Sequence, residues 1–348
     1  MRAESVERFP RASTRNHTWN GRTTTASRGR FTPVRAVATF AAALVVTALA
    51  TAVAVPNVGA TSVACDPTAL VTALAAVSGS GATGSVTLAA GCTYTMMAVN
   101  NTVDGSNAFP DILGNVTIVG SGATITRGTG APDFRFFIVD EGGSLNLSNV
   151  TLSNGSIASD AVHGGAAILN RSQLTLSGVT FLNNTSLAPT GGGAIDNHDL
   201  GQISITGSNF TGNVAPQGGA IEDEATQCHT SRPACGQATV TQTTFTNNSS
   251  TQFGGGGFEG QLDTTTSPLC QPTWPQPVSC QEAGGAHDTF TGDTFSGNRA
   301  MTEGGGIANF GTSTLTNSTL FNNSIVGTGP SGDDWAEWLP AASNASTV

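Results

Sequence analysis

The chain has 348 residues, 44 of them glycine, with 10% charged side chains, no lysine and a formal net charge of −10. Without its arginine-rich first 60 residues it keeps five arginines against twenty-one acids, a net charge near −16. So acidic a body argues against nucleic acid or anionic lipid as a partner, since both are bound through a basic face. Solubility of an exported protein accounts for the charge.

Residues 1–35 hold eight of the thirteen basic residues, from Arg2 to Arg35. A mostly apolar run, Ala36 to Val55, follows and ends at Pro56. Val58-Gly59-Ala60 then places small residues at the −3 and −1 positions of a secretory cleavage site near Ala60. The run is also long enough to stay as an uncleaved anchor. Residues 1–60 are therefore expected to be a leader, and the protein to be extracellular or at the cell surface. It is free of the membrane after cleavage and membrane-anchored without it. A lipoprotein reading of Cys65 fails, because Ser62 stands where an aliphatic residue is wanted.

Residues 66–77 are expected to form a short capping helix, with Asp66 as N-cap, Pro67 in the first turn, and Leu70, Leu74 and Val77 on one face. It suits the role of a lid over strand edges that would otherwise pair with another molecule. The first strand is Val86-Thr87-Leu88, with Cys92 just beyond it as a partner for Cys65. Residues 112–139 supply the first coils through Val116, Ile118, Ile125 and Phe134 to Val139.

From there the chain repeats one unit. Ile168 leads to Leu176 and Phe181, Ile195 to Ile205 and Phe210, and Ile221 to Val240 and Phe245. Phe258 leads to Phe290 and Phe295, and Ile307 to Leu315 and Leu320. The second and third positions are always five residues apart, and an Asn follows three residues later: Asn184, Asn213, Asn248, Asn298, Asn323. An earlier copy, Ile138, Leu147, Leu152, has Gly155 in place of the Asn. Fixed offsets with variable gaps describe stacked units joined by loops that tolerate insertion. Short β-branched or aromatic clusters broken by Gly, Asn, Ser and Thr describe one coil of a parallel β-helix, whose apolar side is buried only by its neighbours. The Asn residues are expected to form an internal ladder.

The Gly-Gly-Ala-Ile and Phe-x-x-Asn pair resembles the repeat of the polymorphic outer-membrane proteins, in the pectin-lyase-like superfamily. It reads Gly164-Gly165-Ala166-Ala167-Ile168, Gly191 to Ile195, Gly218-Gly219-Ala220-Ile221 and Gly304-Gly305-Gly306-Ile307, with a departure at Gly254 to Phe258. The resemblance covers roughly residues 86–326. It implies an all-β chain, a single right-handed parallel β-helix (solenoid) with the short N-terminal capping helix, and a secreted or surface habitat. It implies no reaction, because the fold hosts many activities. Related secreted β-helices carry Cys-Ser-Leu-Arg-Glu-Ala where this chain has Cys65-Asp66-Pro67-Thr68-Ala69-Leu70; only the Cys position and general character match.

The β-helix is expected over residues 61–326, with loop insertions near 226–237 and 261–283. Six Cys permit fifteen pairings. Close spacing makes Cys228–Cys235 and Cys270–Cys280 the simplest, leaving Cys65–Cys92, and the spacing suits disulfides rather than zinc. The second insertion presents Trp274 on a proline-rich loop. Residues 327–348 read as a low-complexity tail in which Trp335 and Trp338 either cover the last coil or stay disordered.

The residue after each lead is expected to point outward, which sets Asp196, Glu222 and Glu259 in one row on three consecutive coils. At about 5 Å and 10 Å apart they bracket the separations glycosidases use, and an aromatic loop nearby suits a sugar. The same row offers hard ligands to calcium. Against both stands the ordinary occurrence of acids on solvent-facing strands. His163, His198, His229 and His287 hold no common register and read as surface residues. The expected function is non-catalytic: a monomeric secreted or surface protein that binds a glycan or surface protein or serves as a stalk. The alternative is a polysaccharide lyase or glycoside hydrolase acting along the row.

Overall fold

The computed structural model describes residues 57–158, 163–198, 200–224, 236–261, 286–327 and 333–337. Each coil contributes a short strand, a five-residue strand, and two further short ones, as in Ile168–Asn170, Gln173–Ser177, Thr180–Leu182 and Thr185–Ser186. Every equivalent strand pairs in parallel with its counterpart one coil away, giving stacked sheets in place of any hairpin. The five-residue strands and the strands after them are joined at one end by the bent strand Ser144–Ser153, which pairs with both columns.

The register follows the offsets read from the sequence. Ile168, Ile195, Ile221, Phe258 and Ile307 are partners in succession, all fully buried. Phe181, Phe210, Phe245 and Phe295 stack with ring centroids 4.5, 4.8 and 4.4 Å apart and interplanar angles of 5° or less. Parallel strands at about 4.8 Å impose that separation on like side chains. One position is corrected. Ile168 pairs with Phe137, so Phe137 leads the first copy, while Ile138 pairs with Leu169 in the next row. Side chains alternate along a strand, so the one-residue shift moves Ile138 to the opposite side of the sheet.

The Asn ladder is complete and its amides are fully used. In Asn213, Nδ2 donates to Asn248 Oδ1 at 2.9 Å and to the Phe181 carbonyl at 3.1 Å, while Oδ1 accepts from Asn184 N and Nδ2. Asn248 and Asn298 repeat the pattern. At the start Gly155 supplies only its N–H to Asn184 Oδ1. The residue before each ladder position bends the chain with a positive φ, from 54° at Asn183 to 65° at Gly212 and Gly297. Asn and Gly tolerate that conformation best, which is why these corners read Asn-Asn or Gly-Asn.

The helix spans Pro67–Val77 with Asp66 accepting from the N–H groups of Thr68 and Ala69, and its Leu70, Leu74 and Val77 are fully buried against the coils. Cys65 and Cys92 form a disulfide with 5.7 Å between their Cα atoms. The strand Asn57–Val63 pairs with Thr83–Leu88, so the expected cleavage point at Ala60 falls within a strand. At the other end Trp335–Glu337 pairs with Ile307–Asn309, setting half-buried Trp335 over the isoleucine row. Trp338, Trp274, His229 and Cys228, Cys235, Cys270 and Cys280 lie outside the described residues. Among the described residues no helix is long and apolar enough to cross a membrane.

Candidate functional site

Asp196, Glu222 and Glu259 are partners in register, as expected from their place after each lead. Their surroundings differ from expectation. The residues are 0%, 0% and 2% exposed, so the row is internal rather than solvent-facing. The cover comes from the glycine runs that precede each lead. Gly191 N–H donates to Glu222 Oε2, and Gly218 N–H donates to Glu259 Oε2 at 2.9 Å. Gly191 has φ +89°, and a Cβ there would run into Asp196 Oδ2 and the backbone of Gly164. The glycines are thus needed because backbone crosses directly over carboxylates.

Burial dominates the acidity of the row. It pushes Glu259 up to about 8, against the Gly218 N–H, and Glu222 well above the usual range, reinforced by Glu224, Glu259 and Asp196. Asp196 is raised to about 7 by burial and then by Glu224, while His198, Arg135 and Arg171 oppose the rise. Two of the three carboxylates are engaged by glycine N–H groups, and all three lie under cover.

A different cluster forms at the Asp196 end. The residue three beyond each lead makes a second outward row: Arg171, His198, Glu224 and Gln261 each donate the backbone N–H to a carbonyl of the preceding coil. His198 Nδ1 contacts Glu224 Oε2 at 2.5 Å, and Arg171 is paired with Asp104. His163, at the start of the preceding glycine run, lays its ring against His198 with centroids 4.1 Å apart. One ligand atom from each of His163, Asp196 and His198 lies within 4.8 Å of the others. Fully buried Arg135 donates from Nη2 to the His163 carbonyl at 2.8 Å. Both oxygens of Asp196 are buried and lack a hydrogen-bond partner among the described residues, as does His163 Nδ1. Burial, then His198, lowers the His163 pKa to about 4, which keeps the imidazole neutral at pH 7.

His163 and His198 therefore do share a site, against the surface reading of both. The signal was present for His198, which sits three past Ile195, in the row that also holds Arg171 and Glu224. For His163 no repeat offset points to the site, because the glycine run carries it there. His287 is exposed on its strand, as expected.

A second buried constellation lies inside the coils. Asn170 donates to Asn197, and Asn197 donates to Asp223 at 2.8 Å. The next position is Gly260, and Asp288 from another strand occupies the space its side chain would fill. Burial first, moderated by bonds from Asp288 and Asn197, pushes Asp223 up to about 6. Burial and then Asp223 carry Asp288 well above its ordinary value.

No curated protein matches the chain. Residues 178–198 match the Chlamydia polymorphic membrane protein (Chlamydia_PMP) repeat, a window running from the Phe181 to Asn184 turn through Gly191–Ile195 to His198. That match covers a single window, and it is the stacked parallel strands that make the chain a parallel β-helix protein.

Proposed function

We propose that this protein is an exported, surface-displayed β-helix with a binding or structural role rather than a catalytic one. The observation that carries the reading is the enclosure of Asp196, Glu222 and Glu259, the set best suited by type and spacing to cleave a glycan. An acid and a base must reach the scissile bond directly or through one water, and these lie under a glycine backbone. The repeat match supports a surface habitat, as does the arginine-rich leader with its apolar run. A stack of coils presents a long, regular face at modest sequence cost, which suits a stalk or a docking surface for glycan or protein.

The test has two parts. Protease accessibility of the protein on intact cells is expected to place it outside, and protection until lysis would contradict that. The purified protein is expected to leave a panel of neutral and acidic polysaccharides uncleaved. Release of unsaturated or reducing ends that disappears in Glu222→Gln would establish the lyase or hydrolase reading instead.

A further inference from the structure

We propose that His163, Asp196 and His198 hold a divalent transition-metal ion of the zinc class. Two imidazoles and one carboxylate form a donor set suited to such an ion, and their ligand atoms already lie within 4.8 Å of one another. Donors around a tetrahedral zinc are about 3.4 Å apart, so closing the site asks for small side-chain rotations. Asp196 supplies the independent observation. It is fully buried, and neither carboxylate oxygen has a hydrogen-bond partner among the described residues. A buried carboxylate left so is costly, and a cation is one of the few occupants that compensates it.

The surroundings fit. Glu224 Oε2 contacts His198 Nδ1, an outer carboxylate contact of the kind that orients a ligating imidazole. Arg135 holds the His163 carbonyl and fixes the segment that carries the ring. Arg171 is paired with Asp104, and among the described residues Asp196 and Glu224 stand against Arg135, so these groups are not net positive. His163 belongs to the coil of Ile168 and the other two ligands to the coil of Ile195, so the ion would tie successive coils together.

Zn²⁺ titration of the full exported chain, read by metal content and melting temperature, tests this. One ion per chain is expected, with a rise in melting temperature that EDTA reverses. Co²⁺ is expected to give visible absorption bands. His163→Ala, at a partly buried position, and His198→Ala are expected to abolish binding. His287→Ala is expected to keep it. Glu224→Gln should weaken affinity about 10–100-fold with unchanged stoichiometry. Absence of a bound ion in the wild type, binding that survives His163→Ala and His198→Ala, or a response to Ca²⁺ but not Zn²⁺ would each overturn the assignment.

Discussion

Asn323 gives both its backbone N–H and its side-chain Nδ2 to a single oxygen, Asp334 Oδ1, at 3.2 and 2.9 Å. A carboxylate thus stands where a sixth Asn would continue the ladder, and Asp333 Oδ1 accepts the N–H of Ile325 beside it. The tail, read from the sequence as low-complexity, closes the last coil by satisfying donors that no further coil would meet. Asp334→Ala is expected to cost about 1–3 kcal/mol by leaving two buried donors unmatched. Asp334→Asn, which keeps the acceptor, should recover most of it. Equal melting temperatures for wild type and Asp334→Ala would contradict the cap.

The phenylalanine stack sets the packing of the middle coils. Phe210 lies between Phe181 and Phe245 with no exposed surface. Phe210→Ala is expected to destabilise the protein by about 3–5 kcal/mol, with Phe210→Leu much milder because Leu152 and Leu320 occupy the same row. Denaturant unfolding checks both.

Glycines of equal φ sign divide by what surrounds them. Gly191→Ala should destabilise by more than about 2 kcal/mol, since its Cβ meets Asp196 and backbone. Gly207, at φ +57°, has open space around it, and Asn317 occupies the equivalent corner with φ 52°. Gly207→Asn is therefore expected to fall within about 0.5 kcal/mol of wild type. Comparable losses for the two would show that the glycine run does not lie over the row.

The Asp223–Asp288 pair links stability to pH. Both folded pKa values lie above the unfolded 3.8, with Asp223 near 6. Their contribution is complete below pH 4 and is lost as pH rises through 6 and beyond. Asp288→Asn is expected to be more stable than wild type at pH 8, by on the order of 1–3 kcal/mol, and to lose the advantage near pH 4. Urea melts at the two pH values decide it.

The fold was legible because its rules are local and repeated. A fixed five-residue offset, then Asn three residues on, gave the stacked isoleucines and the amide ladder directly, and Asp66 with Pro67 gave the helix start. The slip at Ile138 arose where two apolar residues, Phe137 and Ile138, compete for one inward position and both are buried. The row of Asp196, Glu222 and Glu259 was placed in register but not in environment. Alternation tells which side of a strand a residue takes, not what crosses above it, and here glycine backbone does so. Asp288 was hidden for a related reason: it fills the space left at Gly260, a contact between different strands of the coil that no offset encodes.

The most direct test is the pH dependence of stability in wild type and in the Glu222→Gln/Glu259→Gln double variant, because both carboxyls are enclosed and burial raises their pKa values. Burial holds Glu259 near pH 8 and Glu222 well above its usual value, so the folded state binds protons that the unfolded state releases above about pH 4.5. Wild type is therefore expected to lose stability steadily from pH 5 to pH 8.5, and the double variant to lose much less and to melt higher at the alkaline end. Parallel pH profiles, with the variant no more stable at pH 8.5, would mean that these carboxylates are solvated and ionised, and therefore open to a substrate.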